Sequence, residues 1–204
     1  MSEAFFVLAA YLLGSISFGI LVSKAFGLPD PRTLGSGNPG ATNVLRSGKK
    51  FAAALTLLGD AAKGWLAVWL AQRAGLSVVW VCAVAGAVFG GHLYPVFYGF
   101  KGGKGVATFF GVLLALSPWL GLSALATWLL AFTIWRISSL SAMIAAGMAP
   151  VYAMVFFGFT MTQTLTILLL AMMLIWRHKS NIRKLLAGEE AGFGKAKAGH
   201  QPPP

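Results

Sequence analysis

Long apolar runs, broken by short polar or glycine-rich stretches, make up most of the chain. An α-helix rises 1.5 Å per residue, so about 20 apolar residues are needed to cross the hydrocarbon of a bilayer. That length predicts seven membrane helices, over residues 4–23, 51–71, 76–97, 106–117, 118–135, 138–159 and 160–176. The fourth is short and meets the fifth at Ser117 and Pro118, where one proline-kinked helix over 106–135 is the competing reading. Three polar segments remain, 28–50, 99–105 and 177–190, followed by GFGKAKAGHQPPP, which has glycine, proline and charge but no periodicity. The expectation is one domain over 1–187 and a mostly disordered tail over 188–204.

Composition fixes the solvent. Hydrophobic residues make up 57% of the chain and charged ones 10%, against roughly 25% charged in soluble domains. A chain this short has too little interior to hide so much apolar surface from water. The 25 glycines and 7 tryptophans suit lipid, since glycine lets helix backbones approach closely and tryptophan favours the interface. Disorder and coiled coil are excluded, and the fold class is an all-α integral membrane protein. Cys82 sits in an apolar run and reads as packing.

Sixteen Lys and Arg against five Asp and Glu give a net charge of +11, which suits nucleic acid, anionic lipid heads or an anionic substrate. Placement decides between them. With seven spans and an external N-terminus, fourteen of the sixteen basic residues face the cytoplasm, while Arg73 lies outside and Lys63 within a span, as the positive-inside rule requires. Merging the fourth and fifth spans would strand Arg136 and the basic C-terminal segment on the far side, so seven spans are kept and the C-terminus is cytoplasmic. The Met-Ser-Glu start has no basic n-region, so 4–23 reads as a first span and not a cleaved signal. The lipid bilayer is an expected partner and nucleic acid is not.

The first polar segment contains GSGNPG at 35–40, a G-x-G-x-x-G match that lacks the strand, helix and acidic residue of a dinucleotide site. What survives is a small-residue turn, with Gly37 and Gly40, whose backbone N–H groups form an anion-binding nest; an ordinary glycine-rich turn is the plain alternative. Ser36, Asn38, Thr42 and Asn43 add neutral donors, and Arg46 a guanidinium suited to bidentate phosphate contact. The second segment, GHLYPVFYGFKGGKGVAT at 91–108, sets KGGKG at the amino end of the fourth span. Helix N-termini attract anions and glycines permit close approach. Lys101 and Lys104 flank Gly102 and Gly103, and lysines there oppose the helix dipole, which argues for a bound anion over contact with lipid phosphates alone.

The third segment, RHKSNIRKLLAGEE at 177–190, reads as a basic amphipathic helix on the membrane surface, with His178 and Asn181 on one face. Asp60 and Lys63, three residues apart within a span, read as a mutually neutralising structural pair. No G-x-S-x-G elbow occurs. Three histidines, one cysteine and five scattered carboxylates leave no metal site, and no cofactor is expected.

GSGNPGATNVLR, GHLYPVFYGFKGGKGVAT and RHKSNIRKLLAGEE resemble, in order and spacing, the three cytoplasmic motifs of the bacterial acyl-phosphate-dependent glycerol-3-phosphate acyltransferases, the PlsY family. YLLGSISFG near the start, DAAKG at 60–64 and the serine-rich turn after Arg136 extend the likeness from Tyr11 to Lys197. The resemblance implies a small seven-helix enzyme of the bacterial inner membrane whose active site faces the cytoplasm. It implies acyl transfer from acyl phosphate to the 1-hydroxyl of sn-glycerol 3-phosphate, giving lysophosphatidic acid and phosphate, with an upstream enzyme that forms the acyl phosphate. By motif it assigns Ser36, Asn38 and Arg46 to a first phosphate-binding segment, Gly102, Gly103, Lys104 and Gly105 to a second, and His178 and Asn181 to a third. Ser139 is carried over from the serine-rich turn, and Glu190 as a structural partner for an arginine. Pro39, Ser17 and Lys184 depart from the usual isoleucine, proline and arginine, and a lysine makes no bidentate contact.

Together these readings make Ser36, Arg46, Lys104, His178 and Asn181 the expected catalytic groups. Gly37, Asn38, Gly40, Asn43, Lys101, Gly102, Gly103, Gly105 and Ser139 are expected to bind substrate, and Asp60, Lys63 and Glu190 to serve structure. The alternative is a transporter or channel for a phosphorylated metabolite, with the basic loops as vestibule. That would call for polar positions along the spans or an inverted repeat; apart from Asp60, Lys63 and some Ser and Thr, the spans are apolar and no repeat is visible.

Overall fold

The computed structural model describes residues 2–190 and 192, which form α-helices and turns with no strand among them. The helices are α1 (Glu3–Gly14), α2 (Phe18–Ala25), α3 (Ala41–Leu45), α4 (Lys50–Arg73), α5 (Val78–Leu93), α6 (Val106–Leu116), α7 (Pro118–Trp135), α8 (Ser138–Val155), α9 (Met161–Arg177) and α10 (Lys179–Leu186). Among the described residues, four stretches are long and apolar enough to cross a membrane: α4, α7, α8, and Val78–Tyr98, which carries α5 through a 3₁₀ turn at Val96–Tyr98. A fifth arises only if α1 and α2 count together; α6 and α9, at 11 and 17 residues, are apolar but shorter.

One predicted span changes, and the expected break at Ser117 and Pro118 is present. The first span is not one helix, because α1 and α2 are bent by 45°. The break is tied down by the buried Lys63, whose Nζ donates to the Ile16 carbonyl at 2.6 Å, a group that would otherwise be an orphan acceptor in an apolar setting. Over 106–135 the chain forms two helices that pack on each other. Ser117 is extended and its Oγ accepts from the Leu120 N–H at 3.4 Å, while Pro118 opens α7, where the N–H it lacks is not needed.

Small residues set the closest helix crossings. A Cβ on Gly111 would lie 2.0 Å from the Ala61 carbonyl oxygen, and one on Gly64 2.5 Å from that of Thr108, so α4 and α6 meet backbone to backbone. Gly14 against Val88 and Gly91 against Tyr11 do the same for α1 and α5. Close approach recovers dispersion energy that apolar side chains cannot gain over lipid. Inside, Phe89, Leu113 and Leu174 are fully buried and Cys82 is buried, whereas Trp119, Leu130, Val155 and Met161 are more than 60% exposed. An outer surface this apolar is stable in lipid and not in water.

The predicted tail lies mostly outside the described residues. Its first part does not: Glu190 and Gly192 line a cavity of about 650 Å³.

Candidate active site

All three polar segments meet at one end of the bundle around a cavity of about 650 Å³. Of the expected site residues, Ser36, Asn38, Gly40, Asn43, Arg46, Asp60, Lys104, Gly105, Ser139, His178, Asn181 and Glu190 line it. Gly37, Lys101, Gly102, Gly103 and Lys63 do not.

Asn43 organises the first segment. Its Nδ2 donates to the carbonyls of Pro31 (2.6 Å) and Leu34 (3.0 Å), and its Oδ1 accepts from the Ser36 N–H (3.1 Å) and Arg46 Nη1 (3.3 Å). Both of its amide donors are therefore committed to the loop, so its side chain shapes the turn at the cavity wall. The nest is depleted in the same way, since the Ser36 N–H goes to Asn43 and that of Gly37 to the Leu34 carbonyl at 2.8 Å. Arg32 pairs with Asp30 at 2.6 Å and lies over the Tyr98 ring at 5.7 Å, joining this segment to the next; hydrogen bonding from Arg32 holds the Asp30 carboxyl below its ordinary value.

The second segment is pinned from two directions. The Gly103 N–H donates to the His92 carbonyl at 3.1 Å, and Arg177 donates from Nε to the Gly103 carbonyl (3.1 Å) and from Nη2 to the Gly102 carbonyl (2.8 Å) while lying over the Tyr94 ring. A Cβ on Gly102 would stand 2.1 Å from the His92 carbonyl oxygen, and one on Gly103 2.3 Å from its imidazole Nε2. These glycines let the loop lie on the end of α5, and neither is among the residues that line the cavity. Gly105, at φ 86°, turns the chain into α6, whose first residues, Val106 and Ala107, also line the cavity. A helix amino end thus faces the space, a favourable place for an anion.

Lys104 is partly buried, and its Nζ donates to the side-chain Oδ1 of Asn181. Burial holds its pKa below the ordinary lysine value; Glu190 opposes this, while Lys184, Arg46 and Arg177 add to it. Several cations gathered at one partly desolvated point favour a multiply charged anion. His178, 2% exposed, is pushed down to about 4 chiefly by burial. Its Nδ1 is 2.8 Å from the Leu174 carbonyl oxygen, an acceptor only, so Nδ1 carries the proton and Nε2 keeps its lone pair. Glu190 accepts from Ser139 Oγ at 2.7 Å and from Asn181 Nδ2, which corrects its expected arginine partner.

Further in, Asp60 forms an ion pair with Lys63 at 2.8 Å, with His92 Nδ1 3.6 Å away. Both Asp60 and His92 line the cavity. The sequence does not single out His92, a lone histidine in its motif, or Arg177, one basic residue among many, whose part is to hold the Gly102 and Gly103 carbonyls. Leu57, Phe110, Leu125, Trp128 and Leu129 supply an apolar wall. Of these, Leu57 on α4 and Leu129 on α7 are half exposed.

A cationic mouth continuous with an apolar wall, at one end of a helical membrane bundle, suits a ligand with an anionic head and an apolar tail. Residues 4–188 match the family model of glycerol-3-phosphate acyltransferase. The chain is 68% identical over 195 residues to the glycerol-3-phosphate acyltransferase of Methylobacillus flagellatus, covering 96% of this chain and 99% of the relative, and 57% identical over 201 residues to that of Thiobacillus denitrificans, covering 96% and 99%. The crystal structure of PlsY, an integral membrane glycerol 3-phosphate acyltransferase, in its glycerol 3-phosphate form superposes with a TM-score of 0.91 at 39% identity, covering 95% of this chain and 96% of that one. Its lysophosphatidic acid form gives 0.89 at 38% identity, with the same coverage. The chain belongs to the glycerol-3-phosphate acyltransferase family.

Proposed function

We propose that this protein transfers a fatty acyl group from acyl phosphate to the 1-hydroxyl of glycerol 3-phosphate, at the cytoplasmic face of the bacterial inner membrane. The observation that carries this is one cavity that is cationic where the three polar segments meet and apolar along Leu57, Phe110, Leu125, Trp128 and Leu129. A phosphorylated headgroup and an acyl chain need those two environments side by side. The chemistry asks little of the protein. An acyl phosphate is a mixed anhydride with a good leaving group, so the hydroxyl attacks the acyl carbonyl directly and phosphate departs with the electron pair of the broken C–O bond; no Ser or Cys intermediate is required. Arg46 and Lys104 offset charge growing on the leaving phosphate, with the Ser36 hydroxyl, Asn38 and Ser139 as further polar contacts. Neutral His178, with its free Nε2 lone pair, orients the attacking hydroxyl, and a substrate phosphate takes the proton.

Seven crossings with an external N-terminus fit this reading. The beginnings of α4, α6 and α8 and the ends of α5, α7 and α9 all lie near the cavity, so the chain leaves this end and returns between visits, with α6 as the short outward limb. The basic loops then lie in the cytoplasm. A channel is disfavoured by the packing beyond Asp60, where Val68, Val84, Val88 and Leu113 are fully buried and apolar. The test is purified protein in lipid with acyl phosphate and glycerol 3-phosphate, measuring phosphate and lysophosphatidic acid released. Turnover with acyl phosphate and none with acyl-CoA is expected; comparable rates with acyl-CoA, freed of contaminating acyl phosphate, would refute the donor assignment.

A further inference from the structure

We infer that Glu190 is a positioning residue, which acts through Asn181 to set where the Lys104 ammonium stands in the site; this rests on the acyl-transfer reading above. A primary amide has one accepting end and one donating end, and an ionised carboxylate only accepts. Asn181 lies between Lys104, which only donates, and Glu190. One arrangement satisfies all three groups: amide nitrogen toward the carboxylate, amide oxygen toward the ammonium. The flipped amide would set N–H against ammonium and carbonyl against carboxylate, losing two charge-assisted hydrogen bonds at once. Ser139 Oγ donates to the same carboxylate oxygen at 2.7 Å, anchoring it to the start of α8.

The chain reversal that delivers Glu190 is local. After α10, Gly188 is left-handed at φ 70°, its N–H donates to the Leu185 carbonyl (3.1 Å), and the Glu189 N–H reaches back to the Lys184 carbonyl (2.8 Å). This Schellman-type helix end turns residue 190 toward Asn181, nine positions earlier. Glu190, Asn181 and Lys104 all line the cavity, so the chain of hydrogen bonds ends at the atoms that would meet phosphate.

The test compares Glu190→Met, which keeps side-chain length without an acceptor, and Glu190→Gln, which keeps an acceptor, each in the wild-type and the Asn181→Ala background. Wild-type turnover and apparent melting temperature are measured alongside. Expected in the wild-type background is a loss of about 10-fold or more in kcat/KM for Glu190→Met and recovery to within about 3-fold for Glu190→Gln. In the Asn181→Ala background the two should differ by less than about 2-fold, because the side chain through which Glu190 acts is gone. A merely structural role would give the same losses in both backgrounds and overturns the proposal, as does a Glu190→Met variant as active as wild type. Should the Met variant fail to fold, Glu190→Ala serves the same comparison. A wild-type protein without acyl transfer would bring down the functional reading, and this one with it; an active wild type with equal losses in both backgrounds brings down this one alone.

Discussion

At the scale of single residues, Arg46 and Lys104 are the two cavity-lining cations with the strongest claim on substrate phosphate. Their roles differ in setting, since Arg46 is exposed and bonded to Asn43 while Lys104 is partly buried and bonded to Asn181. Arg46→Ala and Lys104→Ala should each lower kcat/KM by about 10²-fold or more, roughly 3 kcal/mol of transition-state stabilisation, with Arg46→Lys recovering part because charge remains but the fork is lost. Steady-state kinetics on folded variants measures this. His178 gives a second prediction. Its folded pKa of about 4 lies below the ordinary 6.5 because burial disfavours the charged form, so the unfolded chain binds the extra proton first. The stability that the neutral buried ring contributes is complete above about pH 6.5 and is lost as pH falls toward 4, by up to about 3 kcal/mol. Apparent melting temperature should drop over that window in wild type and drop less in His178→Asn. The same variant should keep activity within about 10-fold of wild type at neutral pH if, as proposed, a substrate phosphate takes the proton; an inactive but folded variant that still binds glycerol 3-phosphate would overturn that proposal.

At the scale of elements, backbone contact between helices replaces the hydrophobic effect as the source of specificity. Gly111 faces the Ala61 carbonyl at a distance that leaves no room for a Cβ, so Gly111→Ala must push α6 away from α4. Overpacking of this kind costs about 1–3 kcal/mol; a lowered apparent melting temperature, with Gly147→Ala, which meets nothing within 4 Å, as the neutral control, is the expected outcome. The Arg177 clamp belongs to this scale as well, because it fixes the KGGKG loop to the end of α9. Arg177→Lys keeps the charge but cannot donate to two adjacent carbonyls in one plane. A loss of kcat/KM by about 10-fold with little change in melting temperature would show that the clamp sets loop geometry; wild-type kinetics would refute it.

At the scale of the whole molecule, the claim open to test is orientation. Single cysteines at Ser47, Gly99 and Ala187, in a background lacking Cys82, report on the three polar segments in turn. All should be shielded from an impermeant reagent added outside intact cells and labelled after permeabilisation. External labelling of any one would contradict a cytoplasmic site.

The apolar runs by themselves determined that the chain is helical and lipid-embedded, because about 20 residues of unbroken hydropathy have no other stable solution in a bilayer. The glycine-rich and basic motifs likewise marked the segments that line the cavity, because charge is scarce in such a chain and stands out where it clusters. The Asp60 and Lys63 pair was legible from helical spacing alone. Hydrogen-bond partners were not. Asn43 faces inward to its own loop, Gly102 and Gly103 serve packing on His92, Glu190 accepts from Ser139 and Asn181 in place of an arginine, and Arg177 holds a loop 74 residues away in sequence. Each of these depends on which donors and acceptors tertiary packing brings within about 3 Å, a distance that periodicity and composition do not encode.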